Sequence, residues 1–275
     1  MNQIEAPMKY VINAYSLNSL LSDKDNRKYT IVVDVRTFAE YIKGHVPGAI
    51  NADLMQFHWI DTSSTGITQF NEQTRILFTN LGLAKGTRVI FYENNTGPTA
   101  ARGVWLLNYF SHRSGYLLDG GFERWQKEGY PIENKTNLYR HSAFKGTVKP
   151  EILATYQEIL TAIKNKNNNV LIIDTRSSSE FDGSVLRAAK AGHIPSAINI
   201  DWSNNIRDGI FKGKKELKQV YSKIPKDKEL ITYCQGGYRA ANTFLALKMI
   251  GYRKVKVYLG SWGEWGNKEG LPAEK

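Results

Sequence analysis

Cysteine is nearly absent from this 275-residue sequence, with Cys234 its single example. One thiol cannot close an intramolecular disulfide, so no covalent staple holds the fold, and the chain suits a reducing, cytoplasmic setting. Long apolar runs are missing as well. No stretch approaches the roughly 18–20 consecutive apolar residues of a membrane-spanning helix. Residues 1–21 mix Asn, Gln, Glu and Lys among apolar side chains without a secretory pattern. The expectation is a soluble, unprocessed chain without a membrane partner. Histidine is scarce: His45, His58, His112, His141 and His193 are all there are. None stands at metal-ligand spacing from another His, a Cys or a carboxylate, so neither a metal nor another cofactor is expected.

Positive charge is plentiful, with a formal net charge of +11. Such a balance suits anionic partners in general. The lysines, among them Lys24, Lys28, Lys85, Lys164, Lys166, Lys212, Lys214 and Lys215, are spread along the whole chain. They read as solvated surface, and no nucleic-acid partner is expected.

The sequence repeats itself. Val32-Val33-Asp34-Val35-Arg36 with Glu40, then Gly44-His45-Val46-Pro47-Gly48-Ala49-Ile50-Asn51, is answered by Ile172-Ile173-Asp174-Thr175-Arg176 with Glu180, then Gly192-His193-Ile194-Pro195-Ser196-Ala197-Ile198-Asn199. Arg88 to Tyr92 matches Glu229 to Tyr233, and Gly120-Gly121-Phe122-Glu123-Arg124-Trp125 matches Gly260-Ser261-Trp262-Gly263-Glu264-Trp265. Asp34 to Trp125 and Asp174 to Trp265 both span 91 positions. Four matched blocks in one order indicate two copies of one domain. They run over about 10–133 and 151–273, joined by a polar, basic linker at 134–150.

Each copy alternates strand and helix. Ile31 to Val35 and Val170 to Ile173 are apolar, β-branched runs too short for buried helices, as buried parallel strands are. Val89 to Tyr92 and Leu230 to Tyr233 lead through polar loops into helices predicted at Thr99 to Leu107 and Arg239 to Ile250. In the latter, Ala240, Phe244, Leu247 and Ile250 form one apolar face and Gly251 stops the helix. Val255 to Leu259 alternates as a further strand. The fold class is therefore α/β, each domain a mostly parallel sheet with helices on both faces.

The segment richest in chemistry is Tyr233-Cys234-Gln235-Gly236-Gly237-Tyr238-Arg239. A strand delivers Cys234 to the carboxyl end of its sheet, where ligands bind in such folds. A lone cysteine is by default a small buried apolar residue, but a core position does not sit on a Gly-containing loop between strand and helix. Amides turned inward and the partial positive charge of the helix start both favour a sulfur anion. Gly236 and Gly237 permit the dihedrals that such a ring of amides needs. Arg239 has two roles open to it, facing the sulfur or bracing the loop.

On these motifs the chain resembles the tandem-domain rhodaneses, the sulfurtransferase family that includes thiosulfate and 3-mercaptopyruvate sulfurtransferases. The resemblance runs from about Tyr10 to Leu271. It rests on the Asp-x-Arg pairs, the Gly-His-x-Pro-x-Ala-x-Asn segments, a Cys loop in the second copy only, and the Gly-x-x-x-x-Trp endings. It implies two rhodanese-like domains and a two-step exchange: Cys234 takes a sulfur from a small anionic donor, thiosulfate or 3-mercaptopyruvate, and passes it as a persulfide to cyanide or a thiol. Loop amides would stabilise the anion as an oxyanion hole does. The first copy has Glu93 in place of cysteine and reads as inactive, packing on the second so that the site lies at the junction. Asp174 and Arg176, like Asp34 and Arg36, occur in both copies and read as structural, as do His45 and His193.

Two departures weaken the choice of donor. In the mammalian members an arginine follows the Asp-x-Arg arginine by four residues; here that position is Glu180, which would repel an anion. The candidates to replace it are Arg187 and Lys190, in an insertion of the second copy, with Trp202 and Tyr238 as pocket walls. The loop itself is like those of bacterial tandem rhodaneses, and its one charge, Arg239, leans towards thiosulfate. Two rival readings remain. One is a persulfide relay working with a persulfide-donating or thioredoxin-like protein. The other is a phosphatase or arsenate reductase, whose Cys-x5-Arg loops are one residue longer than Cys234 to Arg239.

Overall fold

The computed structural model describes residues 9–275. Residues 1–8, which open the amino-terminal stretch read above as free of a secretory pattern, lie outside them. In chain order the strands are β1 (Val11–Ile12), β2 (Thr30–Asp34), β3 (Ile50–Asn51), β4 (Arg88–Tyr92), β5 (Gly115–Leu118), β6 (Leu153–Ala154), β7 (Val170–Asp174), β8 (Ile198–Asn199), β9 (Ile206–Arg207), β10 (Ile210–Phe211), β11 (Glu229–Tyr233) and β12 (Val255–Tyr258). Two five-stranded sheets result, ordered β1-β5-β4-β2-β3 and β6-β12-β11-β7-β8. Every neighbouring pair in both is parallel. The repeat read from the sequence is thus one topology built twice, with an antiparallel β9–β10 hairpin added to the second copy.

The strands are apolar on both faces because both faces are covered. In the first sheet Ile31, Val33, Val89 and Phe91 point into a large shared core, and Val32, Ile90 and Tyr92 into an outer layer. The second sheet repeats this, with Ile173 and Leu230 facing the shared core and Ile172, Ile231 and Tyr233 facing outward. That shared core is continuous across the two copies, drawing Phe70 and Trp105 from one and Phe244, Leu247 and Cys234 from the other.

The helix predicted at Thr99 to Leu107 spans Pro98–Tyr109, and that at Arg239 to Ile250 spans Tyr238–Met249. Pro98 opens the first at a position whose amide has no partner within the helix. The second differs from the expected single apolar face: Asn242, Thr243, Leu245 and Ala246 are buried as well. The reason is tertiary, since the two helices pack against each other along the seam and leave almost no solvent face on either. Residues 134–150 also do more than link. They contain almost no regular structure, yet Arg75 Nη1 donates to the Gly146 carbonyl at 2.5 Å, and the Phe144 and Phe78 rings meet edge-on at 5.0 Å. This strap is fastened to the first copy.

Each copy lays a segment over the other. The Tyr238 hydroxyl donates to the Leu54 carbonyl at 2.8 Å, and the Thr62 amide and hydroxyl donate to the buried Glu264 carboxylate at 2.8 and 2.6 Å. In return, the Thr96 amide reaches the Gly209 carbonyl at 2.9 Å and the Phe211 amide reaches Asp119 Oδ1 at 2.9 Å. Among the described residues no helix is long and apolar enough to cross a membrane.

Thr62 also accepts the Tyr156 amide at 3.0 Å, so it ties two segments of the second copy to the first. Thr62→Val should cost about 1–2 kcal/mol in urea denaturation, through a lower midpoint at unchanged slope. An unaltered midpoint would show that the Glu264 anchor does not hold the halves together.

Candidate active site

Parallel pairing of β11 between β7 and β12 brings the chain to the carboxyl edge of the sheet at Cys234, which is 1% exposed. Two backbone bonds then set the loop. The Trp262 amide donates to the Cys234 carbonyl at 2.9 Å, and the Gly263 amide to the Gln235 carbonyl at 2.8 Å. Both carbonyls are thereby drawn outward to the helix Ser261–Trp265, which leaves the inner side of the loop free of them. The Gly237 amide donates to Cys234 Sγ at 3.1 Å. Gly237 stands at φ +83°, the left-handed region that a side chain resists, and caps the helix Tyr238–Met249.

Ser261 is held at φ +52° where the first copy has Gly121 at +56°. The unfavourable dihedral costs roughly 1 kcal/mol. What it provides is a hydroxyl that accepts the Cys234 amide at 3.2 Å while donating to the Tyr258 carbonyl at 2.8 Å. The glycine-to-serine exchange between copies thus fastens the residue that carries the sulfur.

Arg239 and Glu180 meet in a two-pronged ion pair at 2.6 and 3.0 Å. Burial works to raise Glu180, but the Arg239 hydrogen bonds and charge prevail and hold it at about 2. Burial likewise opposes the charge of Arg239, and Glu180 together with the Cys234 sulfur raise it above the ordinary guanidinium range. The expectation that Glu180 repels a donor anion needs correction, because its charge is matched by Arg239. By the same pairing, Arg239 is not a free cation for the donor.

The other sequence candidates separate. Gln235 Nε2 donates to the Arg187 carbonyl at 3.0 Å, which brings the insertion to the loop and leaves the exposed Arg187 side chain beside it. Lys190 is occupied elsewhere, its ammonium on the carbonyls of Lys268 and Leu271, both at 2.7 Å. Trp202 is half-buried and binds the Thr175 carbonyl through its amide at 3.2 Å. Tyr238 is an interdomain anchor through its bond to Leu54. Asp174 and Arg176 form a buried pair, Nη2 to Oδ2 at 2.6 Å, that also reaches the Gly192 carbonyl. Asp34, Arg36 and Gly44 do the same in the first copy. His193 and His45 stack on Phe181 and Tyr41 and bind those residues' carbonyls through Nδ1.

Two residues of the first copy lie at the site without having been singled out. A Cβ on Gly236 would stand 2.0 Å from His58 Cε1, so only glycine fits beneath that ring. His58 also lies parallel to Tyr238, centroids 6.1 Å apart. Partial burial, then the charge of Arg102, hold it below the usual histidine pKa. Arg102 itself is buried against Gly237 and Tyr238.

The first copy's loop shows what the same architecture does around a different group. Glu93 replaces the cysteine, and its Oε1 accepts the Ala100 amide at 2.8 Å. A Cβ on Gly97 would stand 2.3 Å from its carboxyl carbon. The carboxyl group therefore fills the space inside its own loop.

The rhodanese-like domain family matches residues 14–128 and again 155–268. The chain is 32% identical over 249 residues to the sulfur carrier protein TtuD of Thermus thermophilus, covering 86% of this chain and 87% of the relative. It is 31% identical to the thiosulfate sulfurtransferase of Pseudomonas aeruginosa, with 89% and 90% covered. Among solved structures, SseA of Escherichia coli, described with the 3-mercaptopyruvate sulfotransferases, matches with a TM-score of 0.77 at 26% identity, covering 92% of this chain and 99% of that one. The anaerobic ergothioneine biosynthesis enzyme of Chlorobium limicola shares the fold, with a TM-score of 0.84 at 22% identity over 97% of this chain and 70% of that one.

Burial raises Glu93 from 4.5 to about 7, against the amide bonds of Ala100 and Thr99. Between those values the folded chain binds more protons than the unfolded one, so stability falls as pH rises through that window. Glu93→Gln should be neutral near pH 5 and stabilising by on the order of 1–2 kcal/mol at pH 8. Chemical denaturation at the two pH values reads this; equal effects at both would place the carboxyl in water.

Proposed function

Because the chain belongs to the rhodanese-like domain family and is a thiosulfate sulfurtransferase-type enzyme, we propose that Cys234 is its sulfur-carrying nucleophile and thiosulfate its donor. The observation that carries this reading is the Gly237 amide on Cys234 Sγ at 3.1 Å in a loop whose carbonyls point away. An amide fixed on the sulfur suits an anion there before and after sulfur is taken up, which is stabilisation by a preorganised dipole.

In the first step the Cys234 thiolate attacks the outer sulfur of thiosulfate. A sulfur–sulfur bond to the enzyme forms, the donor's own sulfur–sulfur bond breaks, and sulfite departs with the bonding pair. In the second step cyanide or a thiolate attacks the outer persulfide sulfur, and Cys234 leaves as thiolate. No external oxidant or reductant enters either step. The loop from Cys234 to Arg239 favours sulfur over a tetrahedral oxyanion, being one residue shorter than a Cys-x5-Arg loop, so the phosphatase and arsenate reductase readings are set aside.

Among the candidates for the donor's anionic end, Arg187 is favoured. Glu180 and Arg239 neutralise each other, and Lys190 is held by backbone carbonyls. The relay reading keeps its own support, since TtuD is named a sulfur carrier and Cys234 is nearly enclosed.

Steady-state turnover with cyanide as acceptor compares these readings. Thiosulfate should be used in preference to 3-mercaptopyruvate, and Cys234→Ala should abolish turnover. With neither donor used, but a sulfur accepted from a cysteine-desulfurase persulfide, the relay reading replaces the enzyme reading. Arg187→Ala should raise KM for thiosulfate about tenfold, the equivalent of about 1.4 kcal/mol, with kcat changed far less. An unchanged KM would remove Arg187 from the donor site.

A further inference from the structure

Arg102 is a charged residue of the first copy, at the site, that no part of the reaction above employs. It is the fifth residue of the helix Pro98–Tyr109 and is 2% exposed. Neither Nη1 nor Nη2 has a hydrogen-bond partner among the described residues. Its guanidinium is walled by rings instead: Trp105 at 4.6 Å, Tyr238 at 5.6 Å and Phe70 at 5.7 Å from Cζ. A buried guanidinium with no carboxylate against it is costly, because the ion has lost its hydration without gaining a counter-charge. Ring faces return only a part of that.

The guanidinium is aimed at the cysteine loop. A Cβ on Gly237 would stand 2.9 Å from Arg102 Nη1, so the missing side chain is what lets the charge approach. The same Gly237 supplies the amide on Cys234 Sγ. Burial pushes Arg102 down to about 10, with Tyr238 and Cys234 acting in the opposite direction; it stays charged at neutral pH. The other titratable groups near the sulfur are Tyr238, His58 above Gly236, and Arg239, which is paired with Glu180 and also interacts with the Cys234 sulfur, so that Arg102 is the cation there with no carboxylate of its own. The Tyr238 hydroxyl is raised to about 12 by burial and stays neutral, and an imidazole carries no negative charge, so neither supplies an anion for Arg102 at neutral pH. The repeat points the same way. The fifth residue of the matching helix Tyr238–Met249 is Asn242, a neutral side chain whose Oδ1 accepts from Asn205. The cation occurs on the helix that faces the cysteine loop.

We propose that Arg102, in the copy without a cysteine, is the fixed counter-charge of the Cys234 sulfur anion, thiolate and persulfide alike, and so a positioning residue for sulfur transfer. This rests on Cys234 being the sulfur-carrying group. It gives the first copy a part in the chemistry that its own loop, closed on Glu93, cannot play.

The test uses the full chain and its one thiol. Alkylation of Cys234 by iodoacetamide is followed as a function of pH in the parent protein, Arg102→Met, Arg102→Gln and Arg102→Lys. Loss of the charge should move the midpoint up by about one pH unit or more, and lysine should restore most of it. A second readout needs no reactivity. In a Cys234→Ala background Arg102 has lost its counter-charge, so Arg102→Met should stabilise that protein more than it stabilises the parent, by urea denaturation above pH 8. A midpoint unmoved in both neutral variants, or equal stability changes in the two backgrounds, overturns the proposal. Because both readouts are free of sulfur donors, they stand even if thiosulfate is not the donor. Continued turnover with an unmoved midpoint would remove Arg102 alone.

Discussion

The site depends on where two carbonyls point. Cys234 and Gln235 surrender their carbonyl oxygens to the amides of Trp262 and Gly263, which leaves the Gly237 amide, and neither of these carbonyls, on the sulfur. A loop with carbonyls turned inward would repel a sulfur anion. The matching bonds in the first copy run from the Phe122 and Glu123 amides to the Glu93 and Asn94 carbonyls at 2.8 Å. The loop geometry is therefore a property of the domain, and what differs is the residue placed in it: the Glu93 carboxyl in one copy and the Cys234 thiol in the other.

Duplication supplies what one domain lacks. The helices that follow the two loops pack on each other and bury nearly every side chain they carry. Each copy sends a segment over the other, Leu54 to Thr62 in one direction and Gly209 to Phe211 in the other. The environment of Cys234 is built from both halves, with His58 over one loop glycine and Arg102 against the next. The first copy, which has Glu93 at the cysteine position, thus forms one wall around the cysteine loop of the other.

The fold was legible because it is periodic. Short β-branched runs, the helix face of Ala240, Phe244 and Leu247, and the repeated Asp-x-Arg and Gly-His-x-Pro blocks all carry their meaning locally. The place of Cys234, on a loop between strand and helix, was legible for the same reason, as these elements are consecutive in the chain. What the sequence hid was tertiary. Nothing near Glu180 in the chain announces that Arg239, 59 positions on, cancels its charge, and nothing near Lys190 announces the carbonyls of Lys268 and Leu271. His58 and Arg102 sit in the other copy, and the one trace of Arg102 was its exchange for Asn242 between matching helices. The nearly complete burial of the helix Tyr238–Met249 was likewise invisible to periodicity, since a partner helix covers its polar side.

A thiol fixed by the Gly237 amide at the head of a helix has a chemical consequence if it carries sulfur as proposed. Treating the protein with thiosulfate alone and weighing it intact should show the gain of one sulfur atom, located on the peptide that contains Cys234 and discharged by cyanide. Sulfur transfer that proceeds with no such adduct on Cys234, or with the adduct absent from that peptide, would contradict the account.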